Sequence, residues 1–244
     1  MTTVPDARAP AWHALYRSAG AAGLLFVLSG VVALALYAMS PPPVTGGEET
    51  LRFIADHRAS YVVQQILWLV PSLFGLLVFV GLLVVLFRTS PSLSVLGFTV
   101  GAASFTALLA VPVTSEGALS LVFLSDRFAA TDIATERWSF VAAAEAIVAE
   151  NNTPSLAGVL TPVGILLISV PLTRGLLPHW TGWLGIVTGT LGIAGEALRF
   201  AVPALYTVYG PLLWAWFAVV GVALLRLPLG GGERAPVRPG APPD

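Results

Sequence analysis

The sequence predicts an all-α integral membrane protein. It is read as a six-transmembrane-helix bundle, N-in/C-in, with short extracytoplasmic surface helices between spans 3 and 4. Three observations carry that prediction. The 244 residues are 56% hydrophobic and 10% charged, with a mean hydropathy of +0.85, whereas a soluble domain is about 25% charged. Six segments supply the roughly 20 mostly apolar residues that cross a hydrocarbon core of about 30 Å. They are 20–40, 61–87, 92–113, 154–173, 181–201 and 204–227. All twelve basic residues are arginine, and threading the spans in alternation puts seven of them on one side.

Residues 1–19 form a cytoplasmic N-terminal segment in this reading, and 20–227 the membrane domain. Residues 228–244, with "LGGGERAPVRPGAPPD", form a cytoplasmic tail expected to be disordered, being rich in Gly and Pro and poor in apolar groups. Arg8 and Arg17 precede the first span as they would a signal peptide. Its apolar run exceeds the usual hydrophobic region of about 7–15 residues, so it is read as an uncleaved span. "TSPSLS" places Ser90 before Pro91, and "NNTPSL" places Thr153 before Pro154. Each is a capping residue followed by Pro at the first helical position, so helices are expected to start there. "LLPHW" separates the fourth and fifth spans.

Orientation follows from the arginines. With both termini inside, the inner segments hold Arg8, Arg17, Arg88, Arg174, Arg226, Arg234 and Arg238, and the outer ones Arg52, Arg58, Arg127, Arg137 and Arg199. Asp6, Glu233 and Asp244 fall inside and the other ten acids outside. The outer connection from 114 to 153 is too charged for lipid at depth and too apolar for a loose loop. "ALSLVFL" is expected to prolong the third helix, and "ERWSFVAAAEAIVAE" to form a short helix with Phe140, Ala143, Ala144 and Ile147 on one face and Glu145 off it. It is read as a helix lying at the membrane surface, or alternatively as a lid. "GGEETLRFIADHRASY" in the first outer loop is a second candidate cover.

The fifth span carries Gly182, Gly185, Gly189, Gly192 and Gly195. At about 100° per residue they fall within an arc of about 140°. Small residues so spaced let helix backbones approach closely in lipid, so this face is expected to meet protein. Leu184, Val187, Leu191 and Leu198 are expected to face lipid. Glu196 and Arg199 fall on the glycine side, where they can pair at i, i+3 and point into the bundle at the level of the outer leaflet. Facing lipid, each would cost about 2.5–3.5 kcal/mol at mid-bilayer. Gln64, Gln65, Glu116, Asn151, Asn152, Tyr206 and Tyr209 reach the same level. Pro71, Pro162 and Pro211 lie at similar depths in spans that start outside, so their kinks could splay the outer half into a cavity.

The candidate ligand-binding residues are therefore Gln65, Glu116, Asn152, Glu196, Arg199 and Tyr206, around an outer-leaflet pocket. The ligand class is a membrane lipid or small hydrophobic molecule. The alternatives are a structural or accessory subunit, with an oligomer or another membrane protein as partner, and a membrane enzyme using Glu196 or Glu116 as acid/base. Without Cys, and with His13, His57 and His179 apart, no metal site or cofactor is assigned. Neither a nucleotide-binding nor a hydrolase motif is present, and the net charge of −1 gives no nucleic-acid footprint. The Arg-only basic set, with abundant Ala, Gly, Leu and Val, suits a bacterial inner membrane.

"RSAGAAGLLFVLSGVV", "DHRASYVVQQILWLV" followed by "LLVVLFRTSPSLSVLG", and "LPHWTGWLGIVTGTLGI" together resemble a bacterial six-span membrane family, domain of unknown function 4386. The resemblance spans most of the chain. It implies the six-span topology and supplies no site residues.

Overall fold

The computed structural model describes residues 10–43, 45–110, 113–114 and 117–227. Glu116, most of the N-terminal segment and the tail 228–244 lie outside the described residues. After one 3-10 turn, Pro10–Trp12, the helices are α1 (His13–Met39), α2 (Gly47–Leu86), α3 (Pro91–Ala110), α4 (Ser120–Ala130), α5 (Ala134–Asn151), α6 (Leu156–Leu172), α7 (His179–Ala197) and α8 (Pro203–Leu225). Two-residue strands β1 (Val113–Thr114) and β2 (Gly117–Ala118) pair antiparallel between α3 and α4.

Six helices make a closed ring in the order α1, α2, α3, α6, α7, α8, each packed on its two neighbours. Gly20 and Gly23 of α1 meet Gly221 near the end of α8, Gly81 near the end of α2 meets Ala19 near the start of α1, and Gly97 of α3 meets Ile168 near the end of α6. Ring neighbours therefore run antiparallel. Inside, Phe26 of α1 stacks on Phe217 of α8 with centroids 3.8 Å apart. Phe105 of α3 meets Phe26, Phe79 and Phe217 edge-on, and Trp216 completes the group against Phe79 and Phe217. All are buried, so rings from four helices fill the axis. Ser104 of α3 bridges to α6, reaching the Ala157 carbonyl at 2.8 Å and the Thr161 hydroxyl at 2.5 Å.

Five stretches are long and apolar enough to cross a membrane: α1, α2, α3, Ala134–Leu172 (α5 with α6) and α8. The expected fifth span, α7, is not among them. Its 19 residues include five glycines and three threonines, which dilute its hydropathy although it sits in the ring.

Several expectations are corrected. The first outer loop is helical: α2 begins at Gly47, and its only residue with non-helical dihedrals is His57 (φ −123°, ψ 27°). The helix therefore departs from regularity there, and Pro71 is carried inside it without such a departure. "ALSLVFL" does not prolong the third helix. Gly117 adopts φ +141°, outside any helix and favoured by Gly alone, and α4 starts afresh after the strand pair. The fourth span starts at Leu156, two residues beyond the expected Pro154. Thr153 is still bonded to the Glu150 carbonyl at the end of α5, and Ser155 is the cap, accepting from the Gly158 N–H at 2.9 Å. The buried face of α5 runs through Ala144, Val148 and Asn151, with Ala143 exposed.

The outer connection is a folded cap. Leu51 and Ile54 from the start of α2, Leu121 and Phe128 from α4, and Ala144 and Val148 from α5 form a second, smaller core. Ser125 ties α4 to the Leu51 carbonyl at 2.7 Å, and Glu145 accepts from the Gly47 N–H.

The glycine face of α7 packs as expected. A Cβ on Gly189 would lie 2.7 Å from the Pro162 carbonyl and the Leu166 Cβ, and one on Gly182 would strike Thr173. Val187 and Leu198 are exposed on the other side, whereas Leu184 and Leu191 are half-buried at its flanks. Gly189→Leu is expected to destabilise the protein by about 1–3 kcal/mol through overpacking, read as a lowered unfolding temperature in detergent. Val187→Leu should leave that temperature unchanged, and equal losses would mean the helix is turned the other way.

Candidate functional site

Helix ends expose backbone groups that the helix cannot satisfy, four N–H at the start and four C=O at the end. The short connection between α5 and α6 brings one of each kind together, the carbonyl end of α5 and the N–H end of α6. The last turn of α7 delivers a charge to each. Glu196, 1% exposed, accepts from the Ser155 backbone N–H at the start of α6. Arg199 donates at 3.2 Å to the carbonyls of both Asn151 and Thr153, at the end of α5. Carboxylate thus meets the positive end of one helix dipole and guanidinium the negative end of another. The two charges lie 3.6 Å apart. Tyr206 at the start of α8 places its ring 4.5 Å from the guanidinium, a cation–π contact. Any side chain at Gly158 would collide with the Glu196 carboxylate.

A second polar group lies beneath the cap. The Tyr61 hydroxyl accepts from the Ala118 N–H at 3.1 Å and donates to the Ala118 carbonyl at 3.2 Å. Gln65 is buried beside it, and a Cβ on Gly117 would fall 2.8 Å from its amide nitrogen. Asn152 donates to the Val148 carbonyl at 2.8 Å. Tyr37, Thr50, Tyr61, Gly117, Asn151 and Asn152 border a cavity of about 20 Å³, room for one water molecule.

The sequence-derived residues therefore fall into two groups. Glu196, Arg199 and Tyr206 come together at the α5–α6 junction. Gln65 and Asn152 belong with the second group, and Asn151 joins the two through its carbonyl and its place at the cavity. Glu116 lies outside the described residues. Sequence reasoning missed the helix ends that receive the charges. The one available signal was Ser155 three residues before Gly158, a capping position that the neighbouring Thr153–Pro154 concealed. The Glu196 Oε2 atom is buried without a hydrogen-bond partner, and such atoms mark strain, function or a missing partner. Among the described residues, no three His, Cys, Asp or Glu side chains converge to hold a metal ion.

A much roomier cleft lies at the opposite end. Between the α6–α7 connection and the last turns of α8, a cleft of about 760 Å³ is lined by Leu176, His179, Trp180, Val222, Arg226 and Leu227, among others. Its size is within the range of about 300–1,000 Å³ usual for ligand sites. It follows from unequal packing: α7 touches α8 at Gly185 through Trp216 and at Gly192 through Tyr209, but at Gly182 it meets the Thr173 region instead. No sequence motif marked it. Comparison of the chain with protein families, curated proteins and solved structures found no match.

Removing one member of the charged pair strands the other in a buried site, so Glu196→Gln and Arg199→Met should each cost about 3–5 kcal/mol. The double variant should cost less than the sum, yet stay below wild type because the ends of α5 and α6 lose their caps. Unfolding of all four proteins in one detergent checks this. Additive losses would show two uncoupled side chains.

Proposed function

We propose that the chain is a six-span protein of a bacterial inner membrane, with both termini on the cytoplasmic side, that binds a lipid or small hydrophobic molecule. Beyond the five long apolar stretches, the remaining span is α7, fifth in chain order. It separates α6 from α8 in the ring, runs antiparallel to both, and its 19 residues reach about 28 Å at 1.5 Å each. Orientation is supported by the segregation of charge along the bundle. Among the described residues, Arg17, Arg88, Arg174 and Arg226 sit at one end without any acid, whereas Arg52, Arg58, Arg127, Arg137 and Arg199 share the other end with every described Asp and Glu; in the sequence Arg8, Arg234 and Arg238 join the first group, seven against five. The arginine end is then the cytoplasmic one. A six-helix ring is also what membership of the six-span family would require.

The observation that carries ligand binding is the cleft of about 760 Å³ at the arginine end, apolar along its walls and open beside the membrane-spanning surface. A second reading keeps the ligand in the outer leaflet at Glu196, Arg199 and Tyr206, and rests on the buried Glu196 Oε2, which accepts no hydrogen bond and meets Arg199 only at ion-pair distance, 3.6 Å. There the space beneath the cap is water-sized, so an amphiphile would need the cap to shift.

One preparation separates the readings. Lipid retained through purification is counted by native mass spectrometry in Val222→Trp, which fills the cleft, and in the Glu196→Gln/Arg199→Met double variant. Loss in the first alone is expected. Loss in the double variant alone would move the site to the outer end, and a protein carrying no lipid at all would leave the accessory-subunit reading. Orientation is tested with single cysteines in this Cys-free chain. An impermeant thiol reagent on intact cells should label Ala55→Cys and Ala130→Cys, and spare Ala14→Cys and Thr89→Cys. The reverse pattern would invert the topology.

A further inference from the structure

The cleft at the arginine end has chemistry as well as volume. Its lining is mostly apolar, with Ala218 and Val222 of α8 and Leu176 of the α6–α7 connection among it. Arg226 follows at the same four-residue spacing, so one face of α8 runs from wall to rim over about 12 Å. Trp180, exposed at the mouth, offers an indole N–H. The same mouth opens at the start of α7, whose first backbone N–H groups have no acceptor within the helix. Arg226 is exposed, and among the described residues no carboxylate lies at this end of the bundle. Its guanidinium is thus open to an anion at the mouth of the cleft.

Resting on the lipid-binding reading above, we propose that the occupant is an anionic phospholipid of the cytoplasmic leaflet. Its headgroup phosphate sits on Arg226 and Trp180, and one acyl chain lies along Ala218 and Val222. The membrane depth fits, because Arg226 caps the end of α8, where a spanning helix leaves the hydrocarbon. Charge selects the class. A zwitterionic headgroup brings its own cation toward Arg226 and the positive end of α7, whereas an anionic headgroup leaves its charge to be met by both.

The test uses the full chain in nonionic detergent with equimolar phosphatidylglycerol and phosphatidylcholine, and native mass spectrometry of the bound lipid. Wild type should retain phosphatidylglycerol over phosphatidylcholine by about tenfold. Arg226→Gln should bring the ratio close to parity. Arg174→Gln, at the same end but outside the cleft lining, should keep most of the preference. Parity in wild type would overturn the anionic headgroup while lipid binding stood. A preference that survives Arg226→Gln, or falls equally in Arg174→Gln, would overturn the site in favour of diffuse surface charge. A lipid-free dimer would place a second copy of the chain in the cleft and overturn the proposal. Retention of neither lipid by a monomer would remove the lipid-binding reading itself.

Discussion

Close backbone contact along the glycine face of α7 is the constraint on which the rest of the bundle depends. Between lipid-facing helices there is little hydrophobic gain in association, so packing must come from intimate van der Waals contact. Five glycines in 19 residues make α7 thin enough to stand between α6 and α8. Without it the ring would be open between α6 and α8, and Ser169 and Trp216, which crowd Gly185, would lose their shared wall. The same composition lowers the hydropathy of α7. The feature that makes the helix indispensable in packing is the one that makes it inconspicuous as a span.

Glu196 and Arg199 solve a different problem. Two helices joined by a short connection leave N–H and C=O groups close together at their ends, without partners inside either helix. A carboxylate for the N–H end and a guanidinium for the C=O end, both from the same turn of a third helix, satisfy both. The pair thereby fixes three elements relative to one another: α5 from the cap, α6 from the bundle, and α7. Tyr206 extends the attachment to α8. The charges look misplaced in a hydropathy plot because their partners are main-chain atoms.

Much of this was legible beforehand. The all-α membrane class, the glycine face and the inward direction of Glu196 and Arg199 follow from composition and from 3.6-residue periodicity. The cap was harder. "GEETLRFIADHRASY" has the charge of a loop and the periodicity of a helix, and only the partner surface of α4 and α5 decides between them. Thr153–Pro154 and Ser155–Leu156 both carry start signals, and the choice is made by whether α5 has finished. The cleft was illegible because it depends on which neighbour each turn of α7 meets, Thr173 at Gly182 and α8 at Gly185 and Gly192, and no local pattern encodes that.

The rings of Phe26, Phe79, Phe105, Trp216 and Phe217 form a dry partition across the middle of the bundle. The cap with its charged turn lies at one end of the molecule and the cleft at the other. A side chain changed at one end is thus insulated from the other by rings drawn from four helices, which close packing holds in place.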